Sequence, residues 1–333
     1  MALPLGLLRQ IQDSDPTAAW EAIAEHAWAT FCDPVSDAKA VSDIVKRDKA
    51  IADVDLFLAT AGWDLWRHWP SVVTKTANAL AEWWEARDGG RAVLILDGLS
   101  LREVPWLLAG LHSRGYVVHE DGVTGAELPP DTTPFAKALG FGSRSMLYNN
   151  GAGHSHRLPG ARTECLKVAW EDAAAQITSE PRWVLWHEWP DTRIHELAEH
   201  GKGLSELVAE VQQAMVSDGF WELIERLTQG RRLVITGDHG YAASGLFPDM
   251  SDPDQVQHMK DCFKAGRSAP DDGADSPWVP PVDLVLDTDH GRHRYVLGRR
   301  KWKVSGGHPT LSHGGLSVLE VLVPFIDVSR VEG

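Results

Sequence analysis

Cysteine is scarce in this sequence. Only three cysteines occur among 333 residues, at positions 32, 165 and 262, and no two of them form a C-x-x-C pair. This spacing excludes the disulfide framework of small secreted proteins, and it excludes a cysteine-based zinc or redox motif. We therefore expect a cytoplasmic protein.

Long apolar runs and an excess of positive charge are also lacking. No stretch reaches the roughly 18 apolar residues that a membrane span requires, and the opening segment MALPLGLLRQ makes a poor signal peptide, so no membrane association is expected. The 32 Lys and Arg residues face 47 Asp and Glu residues, which gives a net charge of -15. This charge argues against broad electrostatic capture of duplex nucleic acid, because that affinity comes from Lys and Arg side chains that neutralise phosphates. A phosphate-bearing substrate would need a local positive centre, and a metal ion is one such centre.

The residues that are present divide the chain into two regions. Residues 1–88 space their apolar side chains by three and four, which predicts an N-terminal helical region. Residues 89–333 alternate helices with short apolar runs, among them RAVLIL, RWVLWHE, RRLVITG, VDLVL and RYVLGRRKWKV. This order predicts an α/β fold with a mostly parallel central sheet and helices on both faces. About residues 250–280, rich in Pro, Asp, Gly and Ser, we expect a long surface loop.

The chain contains fifteen tryptophans, several of them clustered at positions 63, 66, 69, 83 and 84. Three of these, at 63, 66 and 83, lie on a helix-like period, which predicts packing between helices. Stacking on nucleic-acid bases is the alternative.

Two apolar runs end on polar residues. Asp97 follows RAVLIL directly, and Asp238 with His239 follows RRLVITG. In a parallel sheet, functional groups collect beyond the carboxyl ends of the strands, so these side chains are candidate metal ligands. Adjacent side chains in a turn diverge, so Asp238 and His239 suit two neighbouring ions better than one. The alternatives are an ordinary turn or helix-capping aspartate and an exposed histidine.

A third candidate pair follows the run RWVLWHE. Asp191 and His195 lie four residues apart on a helix that is predicted to begin near Pro190, so both lie on one face and could hold one ion. A surface pair without metal is the alternative. Neighbouring residues compete as ligands: His187, Glu188 and His200.

The last candidate, His313, lies in a glycine-flanked turn before the final apolar strand, and His308 precedes it by five positions. Either could be a surface loop histidine. Taken together, the candidates offer carboxylate oxygens and imidazole nitrogens. This mixture suits Zn²⁺ or Mn²⁺ better than Ca²⁺, and two divalent ions account for it most simply.

Five segments in order along the chain resemble the PglZ domain, a branch of the alkaline-phosphatase superfamily. They are LILDGLS, PPDTTPFAKALGF, PDTRIH, TGDHGY and SHGGLSVLEVLVP. The likeness covers about residues 91–330, and the first 90 residues lie outside it. It implies an alkaline-phosphatase-like core that binds two divalent metal ions, Zn²⁺ in the first place and Mn²⁺ as the alternative.

The resemblance also implies roles for individual residues. Thr133 matches the nucleophile, with Thr132 as its rival, and would itself contact metal. Apart from the resemblance, we choose Asn149 as a contact to the substrate phosphate, with Asn150, Lys137, Arg102 and Arg144 as alternatives. The implied metal ligands are Asp97, Asp191, His195, Asp238, His239 and His313. Many PglZ domains have an acidic residue where this chain has His195, a departure that could alter the preferred metal.

The function implied by the resemblance is hydrolysis of a nucleotide-type phosphodiester, either single-stranded nucleic acid or a cyclic oligonucleotide, in bacterial anti-phage defence. We prefer a diester because no additional arginine motif stands out for the third nonbridging oxygen of a monoester. Two alternatives stay open. One is a scaffold that binds a defence partner such as a methyltransferase, and the other is a phosphomonoesterase.

Overall fold

The computed structural model describes residues 3–86, 89–198, 203–244, 249–271, 273–274 and 276–330. Within these ranges the α-helices are α1 (Leu5–Asp13), α2 (Pro16–Phe31), α3 (Ala40–Leu58), α4 (Trp69–Val72), α5 (Thr76–Glu85), α6 (Val104–Ser113), α7 (Thr132–Ala138), α8 (Trp170–Gln176), α9 (Asp191–Glu196), α10 (Leu204–Val216), α11 (Asp218–Thr228), α12 (Pro253–Phe263) and α13 (Val318–Val321). The strands are β1 (Arg91–Leu96), β2 (Tyr116–Gly125), β3 (Arg162–Leu166), β4 (Arg182–His187), β5 (Arg232–Thr236), β6 (Ser268–Pro270), β7 (Asp283–Thr288), β8 (Gly291–Val296) and β9 (Leu322–Arg330).

The central sheet has the strand order β2-β9-β5-β1-β4-β3. Strands β5, β1, β4 and β3 pair in parallel, and only β9 runs in the opposite direction. The central strand β1 is buried along its whole length, as an apolar strand covered on both faces should be. The prediction of a mostly parallel sheet is confirmed.

Helices cover both faces of this sheet. Successive residues of β1 belong to different hydrophobic clusters, with Leu94 in one and Val93 in the other. The first cluster contains side chains of α2, α3, α6, α10 and α11, and the second contains side chains of α5 and α7. Because successive side chains of a strand point to opposite faces, the two clusters lie on opposite sides of the sheet. The predicted α/β fold is therefore confirmed.

The N-terminal helices pack through the clustered tryptophans. Trp66 and Trp69 are fully buried, and both rings lie 4.7 Å from the ring of Trp20 on α2. Helix packing, as predicted, accounts for these rings, since a buried ring offers no face to a base. The helices share one hydrophobic cluster with the central sheet. A domain division at residues 88 and 89 stays a prediction.

A buried ionic network joins the N-terminal helices to the rest of the protein. Arg299 binds Asp48 at 2.6 Å and Asp55 at 2.8 Å, and Asp48 also accepts from Arg102 Nε at 2.9 Å. All four side chains are completely buried. Burial opposes ionisation of Asp48, but the two guanidinium groups outweigh it and lower the pKa of this carboxyl. Helix α3 is thereby fixed to segments more than two hundred residues away in sequence.

Two predicted strands belong to a different sheet. The runs VDLVL and RYVLGRRKWKV supply β7 and β8, which pair antiparallel with each other and with β6 in a separate three-stranded sheet. The second run was predicted to continue to residue 304, but β8 ends at Val296. Gly298 then takes a φ of +61°, a left-handed conformation that breaks an extended strand.

The predicted surface loop at 250–280 is wrong in part, because it contains helix α12 and strand β6. Asp252 caps α12 through the backbone N–H groups of residues 254 and 255, and Pro253 occupies its first position. Met259 and Phe263 bury their side chains in a third hydrophobic cluster. The Asp and Pro residues that were interpreted as loop composition are the start signal of this helix.

No helix among the described residues is both long enough and apolar enough to cross a membrane.

The buried network gives a stability prediction. Replacing Arg299 with Met leaves Asp48 and Asp55 buried without their shared cation, and we expect the free energy of unfolding to fall by about 3–5 kcal/mol. Urea denaturation measures this free energy of unfolding. Arg292→Met is the control, because Arg292 pairs with Asp287 at the surface and should change stability by less than about 1 kcal/mol. Equal changes in the two variants would contradict this account.

Candidate metal centre

Three neighbouring strands deliver acidic residues to one edge of the sheet. Leu96 of β1 is level with His187 of β4, and Ile95 is level with Thr236 of β5, so the chain leaves all three strands at the same height. Asp97 follows β1, Asp191 opens helix α9 after β4, and Asp238 with His239 follows β5. His313 reaches the same place from the loop before α13.

One set of donor atoms is completely buried, and we call it the inner donor group: Asp97, Asp238 and His239. His239 Nε2 lies 3.6 Å from Asp97 Oδ1 and 3.5 Å from Asp238 Oδ2. The other ring nitrogen of His239, Nδ1, lies 2.9 Å from the carbonyl oxygen of Gly240. If Nδ1–H donates to that carbonyl, Nε2 is the nitrogen that is free to bind a metal.

A second set lies beside it, and we call it the outer donor group: Asp191, His195 and His313. Asp191 Oδ2 lies 3.3 Å from His195 Nε2, and the other oxygen, Asp191 Oδ1, lies 3.5 Å from His313 Nε2. The two histidine Nε2 atoms are 3.4 Å apart. The ring of His313 stacks on that of His239 with centroids 4.1 Å apart, so the two groups adjoin. The predicted pairing of Asp191 and His195 on one helix face is present in α9.

The donor atoms have the spacing that a bound ion needs. Two ligand atoms on a tetrahedral zinc ion, each about 2.0–2.1 Å from the metal, lie about 3.3 Å apart. The measured separations of 3.3 to 3.6 Å match this value. Four buried atoms of these residues have no hydrogen-bond partner: Asp191 Oδ1, Asp238 Oδ2, His239 Nε2 and His313 Nδ1. Since buried polar atoms are rarely left unpaired, the residues fit a metal centre.

The electrostatics of the inner donor group also call for a cation. Burial, together with the charges of Asp238 and Asp191, raises the pKa of Asp97 well above its usual range. Burial opposes protonation of His239, but the surrounding carboxylates outweigh it and raise its pKa to about 9. Without metal, protons therefore balance the carboxylates. A divalent ion would displace these protons and balance the same negative charge.

Among the described residues, Arg144 is the arginine that pairs with a carboxylate of the donor groups. It forms an ion pair with Asp97 Oδ2 and lies 3.5 Å from Glu188. Trp186 donates to the same Asp97 oxygen at 3.1 Å and fixes the carboxylate from the sheet side. Because Arg144 is 26% exposed, its guanidinium can also meet a molecule that arrives from solvent.

The two candidate nucleophiles occupy different positions at the start of α7. Thr132 Oγ1 donates to Asp97 Oδ1 at 3.4 Å. Thr133 is exposed, and its backbone N–H donates to the capping residue Asp131 at 3.5 Å. The sequence favoured Thr133, which stays a prediction, whereas the hydrogen bond to the inner donor group in the described residues is made by the hydroxyl of its rival Thr132.

Asn149 lies beside β3, and its role as a substrate contact stays a prediction. It is exposed with a φ of +51°, and its backbone N–H donates to Glu164 at 2.8 Å. Within the described residues, no hydrogen bond joins its side chain to either donor group. Its visible role is to hold a turn beside β3.

The competing histidines do not join the donor groups. His187 uses both ring nitrogens on backbone atoms, at 3.0 Å from the oxygen of Val168 and 3.2 Å from the nitrogen of Trp189. His308 packs on the ring of Trp302 at 4.7 Å. Burial lowers the pKa of each of these two histidines to about 4. His200 lies outside the described residues.

Two glycines permit the ligand segments to approach closely. Gly98 has a φ of +74°, and its N–H donates to Asp238 Oδ1 at 2.9 Å. A Cβ added at Gly98 would lie 3.3 Å from Asp191 Cβ. A Cβ at Gly240 would lie 2.1 Å from the carbonyl oxygen of Leu319, so a side chain at either position would displace a ligand segment.

Sequence reasoning missed the residues that hold these segments from behind. Arg102 donates to Ser100 Oγ at 3.0 Å and to the carbonyl oxygen of Tyr241 at 2.8 Å. Glu103 accepts from the hydroxyl of Tyr241 at 2.7 Å and from the backbone N–H of Ser100 at 2.8 Å. Asp48 in turn holds Arg102. The S-x-x-E pattern of a capping box just after Asp97 was the available signal.

No protein-family model and no curated protein matches the chain. Solved structures that resemble it include murine ectonucleotide pyrophosphatase/phosphodiesterase 5, at 14% identity over 73% of this chain and 88% of that chain, with a TM-score of 0.41. The human protein of the same name gives 12% identity over 72% and 88%, with a TM-score of 0.41. Phosphonoacetate hydrolase from Sinorhizobium meliloti 1021 in complex with phosphonoformate gives 15% identity over 73% and 90%, with a TM-score of 0.43. At these values the likenesses do not assign roles to residues, and the PglZ resemblance stays a prediction.

Metal addition provides the test of this centre. We expect Zn²⁺ or Mn²⁺ to stabilise the metal-free protein, by about 2.7 kcal/mol when the free ion is at a hundred times its dissociation constant. Asp238→Ala should weaken binding at least about tenfold, because it removes an inner ligand. Isothermal titration calorimetry gives affinity and stoichiometry.

The matched control for this titration is His308→Ala, which removes a histidine from the same loop that carries His313. It should leave affinity and stoichiometry unchanged. Equal weakening in His308→Ala and Asp238→Ala, or no binding by the unaltered protein, would contradict the assignment.

Proposed function

We propose that this protein is a metal-dependent phosphodiesterase with Thr132 as its nucleophile. The observation that carries the proposal is a threonine hydroxyl 3.4 Å from Asp97, beside two adjoining sets of donors that contain four unpartnered buried atoms. Paired divalent ions beside a hydroxyl suit in-line displacement at phosphorus. This arrangement also supports the wider class, the phosphoric ester hydrolases.

The two donor groups would each hold one divalent ion. The inner donor group would bind the ion nearer Thr132, and the outer donor group would bind the second. Mixed oxygen and nitrogen ligands favour Zn²⁺, with Mn²⁺ as the alternative. When bound, such ions lower the pKa of a coordinated oxygen and stabilise the charge that develops on the phosphoryl group.

The residues of the chain would supply the remaining parts of the reaction. Thr132 Oγ1 would attack phosphorus while the bond to the leaving-group oxygen breaks, giving a phosphothreonine diester and an alcohol that takes up the hydroxyl proton. Water would then cleave the phosphothreonine bond, restoring the threonine and releasing a phosphate monoester. Asp97 would orient the hydroxyl, and Arg144 would contact a nonbridging oxygen.

The charge at this edge of the sheet favours a diester over a monoester. A diester carries one negative charge, whereas a monoester presents a third nonbridging oxygen that needs a further cation. Among the described residues, Arg144 is the one cationic side chain found in contact with the inner donor group. Phosphomonoesterase activity is therefore the second candidate.

The finer assignment rests on the PglZ resemblance. It suggests a nucleotide-type diester, either single-stranded nucleic acid or a cyclic oligonucleotide, and a place in anti-phage defence inside the cytoplasm. A scaffold that binds a methyltransferase or another defence partner is the rival. A scaffold has no physical need for six converging ligands, so the donor groups favour an enzyme.

Hydrolysis of bis-p-nitrophenyl phosphate in the presence of Zn²⁺ or Mn²⁺ tests the proposal. We expect Thr132→Ala to lower kcat at least about a thousandfold, because it removes the nucleophile. Thr133→Ala is the matched control and should stay within about tenfold of the unaltered protein. The monoester p-nitrophenyl phosphate should be the poorer substrate.

Two results would overturn the assignment. Loss of activity in Thr133→Ala but not in Thr132→Ala would restore the nucleophile that the sequence favoured. An unaltered protein that binds metal but cleaves neither ester would favour the scaffold.

A further inference from the structure

A groove at the end of helix α12 concentrates positive charge in an otherwise acidic protein. It has a volume of ≈ 530 Å³ and lies between the last turn of α12 and the segment that follows β8. The residues that line it are Lys260, Lys264, Ala265, Lys303, Val304 and Ser305. Half of them are lysines and none is acidic, although the whole chain carries a net charge of -15. We call this feature the lysine groove.

The lysines project from a backbone that is held firmly. Lys264 ends α12 with a φ of +57°, a left-handed conformation that is uncommon for a residue other than glycine. Its carbonyl oxygen accepts the indole N–H of Trp302 at 2.9 Å. Trp302 is fully buried against Phe263, and Lys303 follows it directly. Two walls of the groove are thus tied to each other through one buried ring.

The lysine side chains of the groove form no ion pairs with the described part of the protein. Within the described part of the chain, none of its three lysines has a carboxylate within 4.0 Å, whereas the nearby Lys301 pairs with Asp249 at 3.6 Å. Asp261, three residues before Lys264 on α12, accepts from Gln257 Nε2 at 2.8 Å and forms no ion pair with the groove in the described part of the chain. The three ammonium groups are therefore available to an anion.

We propose that the lysine groove binds the phosphate backbone of single-stranded nucleic acid. Ammonium groups are point charges that suit phosphate oxygens, and the lysine stems together with Ala265 and Val304 give the groove an apolar floor. Among the described residues, no aromatic side chain lines the groove, so we expect binding to act on the backbone and not on the bases. Duplex DNA places a charge every roughly 1.7 Å of its axis and would bring many uncompensated phosphates against acidic surface.

This inference is independent of the metal centre and of the proposed hydrolase. If both hold, the groove gives a polymeric substrate a second point of attachment, which a cyclic oligonucleotide does not need. If the hydrolase proposal fails, the groove still predicts binding. Measurements in a chelator separate the two.

The test is fluorescence anisotropy of a labelled oligothymidylate of about 12 nucleotides, in EDTA, over about 50 to 200 mM salt. Each phosphate contact on a single strand contributes about 0.7 to the slope of log affinity against log salt. Replacing Lys260, Lys264 and Lys303 together with Gln should therefore reduce the slope by about 2 and weaken binding at least about tenfold at the lowest salt.

A charge-matched control separates the groove from net charge. Lys39, Lys46 and Lys167 are exposed elsewhere on the surface, and their replacement by Gln makes the same change in net charge. This control should keep the affinity and the slope of the unaltered protein. Circular dichroism and the unfolding midpoint establish that both triple variants fold.

Three outcomes would overturn the proposal. The first is equal affinity and slope in the two triple variants. The second is no measurable binding by the unaltered protein at the lowest salt. The third is equal competition by polyglutamate at the same charge concentration, which would make the groove a site for acidic protein segments.

Discussion

The main constraint on this structure is the free-energy cost of placing three carboxylates together at one edge of a sheet. Asp97 and Asp238 are completely buried, and Asp191 lies close by with only 14% of its side chain exposed. Burial and the charges of Asp238 and Asp191 disfavour the ionised form of Asp97 and raise its pKa, whereas the adjoining histidines lower the pKa of Asp191. Such an arrangement persists only where a cation balances it. Arg144 and the raised pKa of His239 provide this balance in the absence of metal, and we propose that a divalent ion provides it when bound.

The fold meets this constraint by fixing the ligand segments from several directions. The parallel register of β4, β1 and β5 ends the three strands at one height. Behind the ligands, Arg102 ties the segment after β1 to the segment after β5, and Asp48 of helix α3 holds Arg102. The N-terminal helices thus contribute to the position of ligands they do not contact. Preorganisation of this kind is what a metal centre needs from its supporting residues.

Much of this arrangement could be predicted because its signals are local. Apolar runs that end on Asp97 or on Asp238 mark buried strands and the edge where their carboxyl ends meet, and the i,i+4 spacing marks the helix face of Asp191 and His195. The sequence favoured Thr133 over Thr132, but it could not show which hydroxyl meets Asp97, because adjacent residues at a helix start differ in the direction of their side chains. That direction depends on how α7 packs against β1.

Other features depend on contacts between distant parts of the chain. The short edge strand β3 was missed because its sequence, RTECL, begins with three polar residues and contains neither an apolar run nor an alternating pattern. Helix α12 was interpreted as loop because its start signals, Asp252 and Pro253, are also loop residues. The pairing of Arg299 with Asp48 joins residues that no sequence window contains together. In each case tertiary packing decided between local alternatives that the sequence left open.

The most direct test of the central claim is anomalous X-ray diffraction from crystals grown with Zn²⁺, recorded on both sides of the zinc absorption edge. The account predicts two anomalous peaks at the carboxyl edge of β1, β4 and β5, one bounded by the inner donor group and the other by the outer donor group. Crystals with zinc bound only at other surfaces, and with Arg144 still paired to Asp97 between empty donor groups, would contradict it.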